Sequence, residues 1–364
     1  MKYKDEFSQS NIAEKIAAAI RQIPLDKKIN LMEVCGTHTH QVARFGIRSM
    51  LPEKVNLLSG PGCPVCVTSN EYMDHALALS QVPGVIITTF GDMFRVPGSY
   101  SSLQEEKGRG ADIKVTYSSA DALEIARKNP DKNIVFLGVG FETTSPTIAA
   151  TVLQAREENI DNFSVLAGFK TLPNALKTLA ESPEINLHGL IAPGHLSVIT
   201  GTKIYEPVAS KYGVACVITG FEALDILEGI RLLVKQVSEG RAEVENEYSR
   251  VVRPEGNVKA MKIMEQVFKP ADSRWRGIGV IPDSGLDFKE EFSDFDASKK
   301  FNVEIPPPHY AEGCICGQIL TGVKSPLDCP GFGTICNPEN PVGACMVSSE
   351  GTCAAYYRYR PING

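Results

Sequence analysis

The chain lacks any run of about 18 apolar residues, so no segment reads as a membrane-spanning helix. It also lacks a basic excess: 43 acidic residues against 37 basic ones leave a net charge of −6. With no spare Lys or Arg to neutralise phosphates, a chain built to coat nucleic acid is excluded. The opening residues, MKYKDEFSQSN, lack the apolar core of a signal peptide, so the expected compartment is the cytoplasm. No G-x-x-x-x-G-K-[ST] phosphate loop occurs. The nearest approach to a dinucleotide loop, beginning at Gly138, has Thr143 where the third glycine belongs, so that reading is rejected.

Cysteine, in contrast, is abundant. The 364 residues are 43% hydrophobic and 22% charged, ordinary for a globular protein and enough for two or three domains. Ten are cysteine, and six of these (Cys314, Cys316, Cys329, Cys336, Cys345, Cys353) crowd the C-terminal segment. In a reducing compartment such density reads as metal binding or redox chemistry before it reads as a disulfide framework.

Residues 11–21, rich in Ala and Ile, predict a leading helix within an N-terminal unit, 1–28. Short apolar runs then alternate with amphipathic stretches. Runs at 30–34, 55–59, 84–89 and 113–117, and again at 133–139, 163–168, 189–192 and 214–219, predict buried strands of parallel sheets. The fold class is therefore α/β. The two sets of four look like a loose duplication, a first βαβ domain over 29–130 and a second over 131–240. Each set has a strand ending in a Thr-rich loop, CGTHTH at 35–40 and GFETTSP at 140–146. Each also has a Pro-Gly turn bearing a reactive side chain, GPGC at 60–63 and PGH at 193–195. The triplet GFE recurs at 140–142 and 220–222. Residues 241–265 predict a helix and 276–285 a loop. Pro306, Pro307 and Pro308 mark the entry to an irregular Cys-rich tail, which lacks a periodic apolar pattern and needs a metal to hold it. The third unit spans 241–364.

The loops after the strands carry the chemistry, because ligands of parallel sheets bind at strand carboxyl ends. Cys35 precedes a predicted helix, whose first N–H groups favour a thiolate, and His38 and His40 lie close by. Cys63 and Cys66 form a C-x-x-C turn: either a redox dithiol, or half of a soft metal site completed by Cys35. Glu142 reads equally as a carboxylate acting on a ligand and as an acid at a helix N-terminus. His195, on a Pro-Gly turn, is a candidate proton carrier. Cys216, inside an apolar strand, reads as core. Six tail cysteines exceed the four that a zinc or a [4Fe–4S] cluster takes, so either four ligands and a redox pair, or a zinc site with two spare thiols, account for them.

Taken together, CGTHTH, GPGCPVC, GFETT, PGH and the six-cysteine tail resemble, in order and over essentially the whole chain, the HypD family of hydrogenase maturation factors. The resemblance implies two α/β domains around a cleft and a C-terminal domain holding one [4Fe–4S] cluster. It implies a cytoplasmic scaffold that, with the small partner HypC, holds the iron of an Fe(CN)2CO unit for [NiFe] hydrogenase. Cyanide would come from a HypE–HypF pair. It carries the cluster onto Cys314, Cys329, Cys336 and Cys353, and a redox-active pair onto Cys316 and Cys345. Cys35, Cys63 and Cys66 match the essential central cysteines, with Cys35 as the iron's protein thiolate. His38, Glu142 and His195 would handle protons or position cyanide. The rival expectations are a cluster-dependent thiol–disulfide oxidoreductase acting on a protein, and a zinc-stabilised binding protein.

Overall fold

The computed structural model describes residues 10–359. The leading helix spans Ser10–Gln22. Eleven strands follow: β1 (Ile29–Glu33), β2 (Val55–Ser59), β3 (Val85–Thr89), β4 (Ile113–Val115), β5 (Asn133–Gly138), β6 (Phe163–Ala167), β7 (Leu187–Pro193), β8 (Ala215–Thr219), β9 (Val244–Asn246), β10 (Phe268–Trp275) and β11 (Gly279–Phe288). All eight predicted apolar runs are strands. Two interior strands, VIITT in β3 and ACVIT in β8, are buried along their whole length, as strands covered by helices on both faces are.

The architecture is α/β with two parallel sheets, in the orders β2-β1-β7-β8-β9 and β4-β3-β5-β6. The sheets do not follow the expected division at residues 130 and 131. The chain leaves the first sheet after β2, builds the whole of the second from β3 to β6, and returns at β7. β1 lies in parallel register with β2 on one side and β7 on the other. Apolar periodicity reports that a strand is buried but not which strand lies beside it. The leading helix packs Ile20 into a core shared with Leu31, Val217, Leu227, Ile230 and Val234. Each such aliphatic side chain contributes about 1.5–3 kcal/mol on burial.

Two further expectations are corrected. Residues 241–265 are not one helix: β9 extends the first sheet, and the helix begins only at Val258. Pro254 and the left-handed Gly256 (φ +63°) break the chain between them. The expected loop at 276–285 is instead mostly β11, paired antiparallel with β10. The register shifts between Ala271 and Ser273, and this bulge takes up Pro282, which a regular ladder rejects. Among the described residues no helix is long and apolar enough to cross a membrane.

Candidate functional site

The carboxyl ends of β1, β2, β5 and β7 converge on one half-enclosed cavity of about 320 Å3. CGTHTH contributes Cys35 and Thr37, GPGC contributes Gly62, GFETT contributes Phe141, Thr143 and Thr144, and PGH contributes His195. Two loops cross here almost in backbone contact. Gly36 N–H donates to Gly62 O (3.1 Å), and a Cβ on Gly62 would lie 2.1 Å from Cys35 N. Only glycine fits at that crossing.

Cys35 is the N-cap of the helix Gly36–Arg44. The backbone N–H groups of Thr37 and His38 favour its thiolate, as expected, but they do not prevail. Burial, and then the charge of Glu350, push the thiol up to about 12, so the metal-free side chain is a neutral thiol. His38 is buried, with Nε2 at 2.8 Å from Gly220 O and 2.9 Å from Thr219 Oγ1. Burial lowers it to about 4, and its Nδ1 has no partner. His40 does not line the cavity; its ring nitrogens hold Ser349 O (3.0 Å) and Tyr359 Oη (3.0 Å). His195 lines the cavity, and burial lowers its pKa against the opposing pull of Glu350.

Glu142 lies behind the cavity wall formed by its neighbours. Its Oε1 accepts the N–H of Leu172 (2.9 Å), the first residue of the helix Leu172–Glu181, and its Oε2 is buried without a partner. Thus it serves a helix N-terminus, though not that of the helix following its own strand. Cys63 caps the short helix Pro64–Val67 and accepts the N–H of Cys66 (3.4 Å). The two sulfurs stand 2.8 Å apart.

From this dithiol a line of sulfur leads into the tail. Cys345 lies beside Cys66 and Cys353, and its interactions with these two thiols hold it well below the ordinary thiol range. Cys316 hydrogen-bonds Cys314, which this lowers to about 7. Cys316 and Cys345 therefore each engage another thiol, within electrostatic range of one another. Cys314, Cys329 and Cys336 line a cavity of about 160 Å3, and Val342 N–H points at Cys336 Sγ (3.4 Å). Cys353 lies within electrostatic range of Cys314 and Cys336. Among the described residues no three His, Cys, Asp or Glu side chains converge on a single metal-ion position. Cys216 is a buried core residue, as expected.

Two residues of the site escaped the sequence reading. Glu350 lines the cavity, accepts from Thr37 Oγ1 (2.6 Å) and sets charge beside Cys35 and His195. Phe221 is sandwiched between His38 and His195, with ring centroids 4.6 and 4.0 Å away. The GFE echo at 220–222 was its one trace in the sequence.

A family model described as HypD, the hydrogenase formation hypA family, matches residues 9–360. A hydrogenase maturation factor HypD of Cupriavidus necator is 45% identical over 368 residues, covering 99% of this chain and 97% of that protein. One of the same name from Azotobacter vinelandii is 44% identical over 367 residues, covering 99% and 97%. Another from Rhodobacter capsulatus is 41% identical over 370 residues, covering 99% and 98%. The chain belongs to the HypD family.

Proposed function

We propose that this chain is a redox-active scaffold in the cytoplasm, on which the iron of a [NiFe] hydrogenase acquires two cyanides and one carbon monoxide. Its part in hydrogenase maturation follows from its family. A HypC-type small chaperone would share the iron, and a HypE–HypF pair would deliver cyanide. The observation that carries this reading is the meeting of four strand-end loops on one cavity, with Cys35 in its wall.

The iron unit is the cargo, held by the Cys35 sulfur and a cysteine of the chaperone. The neutral state of the free thiol is no obstacle, because a bound cation offsets the cost of burying a thiolate. His195 and Glu350, on the same cavity, would pass protons and orient cyanide. Glu142 supports them from behind by fixing the helix at Leu172, and His38 by fixing the end of β8.

Cys314, Cys329, Cys336 and Cys353 would hold one [4Fe–4S] cluster. Three of these thiols line one cavity and Cys353 lies within electrostatic range of two of them, a spread that suits a polynuclear group. When bound, that group supplies one-electron redox chemistry. Cys345 joins it to the central dithiol, with Cys316 as the second redox-active thiol beside the cluster. Cys63 and Cys66 give up two electrons and two protons on closing to a disulfide and regain them on opening.

The test is Cys35→Ser, purified anaerobically with the small chaperone. Loss of the cyanide and carbon monoxide infrared bands, with the iron–sulfur absorption intact, is expected. Bands that persist in this variant but vanish on replacing Cys63 or Cys66 would exchange the roles of these thiols. The 2.8 Å Cys63–Cys66 contact also favours a thiol–disulfide oxidoreductase. That reading requires the wild-type complex to show no such bands while reducing a protein disulfide.

A further inference from the structure

Arg276, in the turn between β10 and β11, is only 4% exposed. Its backbone N–H donates to Val67 O (2.8 Å) and its Nε to Thr68 O (2.6 Å), both just after Cys66. On its other side, Gly277 (φ +72°) packs against Gly317, so closely that a Cβ on Gly277 would lie 2.1 Å from Gly317 Cα. The turn is thereby pressed against the segment that carries Cys314 and Cys316. Nη2 is buried with no hydrogen-bond partner. The acid near this turn, Glu71, pairs with Arg274 instead (3.4 Å), and among the described residues no carboxylate lies within ion-pair distance of Arg276. Its charge acts on Cys314, Cys316 and Cys345, and on Tyr310.

A guanidinium keeps its charge at any physiological pH, and burying it unpaired is costly. The anions that this site offers are sulfur. We propose that Arg276 is a positioning residue of the cysteine centre: its guanidinium is the counter-cation of the sulfur group, while its Nε and backbone N–H tie the C-x-x-C turn to that group. This rests on the reading of the tail as an iron–sulfur site. A buried cation stabilises the reduced state, which carries one more negative charge, so Arg276 raises the reduction potential.

The full chain is reconstituted anaerobically with iron and sulfide as wild type, Arg276→Gln and Arg276→Lys. Iron and sulfide content, the potential in a dithionite titration, and the thermal midpoint with and without metal are measured. Arg276→Gln is expected to shift the reduced-to-oxidised ratio about tenfold toward the oxidised form, about 59 mV for one electron. Arg276→Lys, which keeps the charge and loses the fork, should shift it by less than half as much. Without metal, the Gln variant should lose less of its thermal midpoint than with metal, since only the Nε link to Thr68 is then removed. A full cluster at the wild-type potential in Arg276→Gln would overturn the proposal. So would equal losses of thermal midpoint with and without metal that Lys does not restore, the mark of a merely structural link. If the Gln variant takes up no cluster, the Lys variant decides: a cluster near the wild-type potential supports the charge role, and no cluster overturns it. A wild-type chain that takes up no iron or sulfide would sink the reading of the tail. That result is distinct, and the metal-free melting comparison then decides on Arg276.

Discussion

Glu142 and Glu33 are buried carboxyl groups that ionise late. Burial pushes each up to about 7, against the backbone N–H groups of Leu172 and of Glu142 itself at Glu142, and against Arg48 (3.6 Å), Ser59, Thr39 and the backbone of Gly60 at Glu33. The folded chain therefore keeps protons that the unfolded chain releases above its ordinary value of 4.5. The resulting stability is fully present below pH 4.5 and is lost as the pH rises through about 7. Denaturant midpoints should fall across that window and level off above it. Glu142→Gln keeps the shape and cannot ionise, so it should flatten the slope. Above pH 7 it should exceed wild type by up to about 3 kcal/mol. An effect of the same size at pH 4 and pH 8 would contradict this account. The candidate site residues that were legible in the sequence are those whose chemistry is scarce or whose motif is local, such as Cys35, the C-x-x-C pair and His195. Glu350 was not legible, because its partner Thr37 lies 313 positions away and only tertiary packing joins them. The state of Cys35 was misread for a related reason: a helix N-terminus is visible in sequence, but full burial is not.

At the level of elements, every predicted strand is present because a short run rich in aliphatic residues, bounded by turn residues, has few other uses. Their distribution between two sheets was not legible, since β1 pairs with β7 across more than the whole second sheet. The β10–β11 hairpin was hidden by Gly277 in its turn, by Gly279 at the start of β11, and by Pro282, which reads as loop until the bulge that absorbs it is seen. What the sequence did show was that GPGC and CGTHTH each follow a strand, and their crossing at Gly62 makes a sharp prediction. Gly62→Ala would thrust a methyl group to within 2.1 Å of Cys35 N, against backbone that cannot yield cheaply. The expected cost is about 3 kcal/mol, with a thermal midpoint several degrees lower. Gly108→Ala, at a helix end with nothing within 4 Å of the new methyl, should leave the midpoint unchanged within about a degree. Similar midpoints for the two variants would show that the crossing is looser than drawn.

Over the whole molecule, the cysteine-rich tail is the strap that closes the site. Ser348 donates to Asp92, just beyond the end of β3 in the second sheet (2.7 Å). Glu350 accepts from Thr37, and Ser349 O and Tyr359 hold His40, both at the end of β1 in the first sheet. Cys345 joins the same strap to the dithiol turn. Among the described residues the tail forms only short helices, Cys316–Leu320, Ala344–Val347 and Thr352–Tyr359, and its buried side chains, such as Ile319, Leu320 and Met346, join the larger core rather than one of their own. Its order should therefore depend on the group its cysteines hold, as metal binding and folding are coupled in such segments. Cys329→Ala removes a thiol from the wall of the tail cavity, far in sequence from the central site. It should abolish iron and sulfide uptake. It should also speed backbone hydrogen exchange in the helices Gly36–Arg44 and Pro64–Val67, which lose the strap, while β3 and β5 in the second sheet keep wild-type protection. Cys316→Ala, which removes a thiol outside the proposed ligand set, should leave iron, sulfide and exchange in those helices as in wild type. If Cys329→Ala kept a full complement of iron and sulfide, the ligand assignment would fail. If it lost them without any change of exchange at 36–44, the tail would be a passive appendage, and closure of the cleft would have to come from the sheets alone.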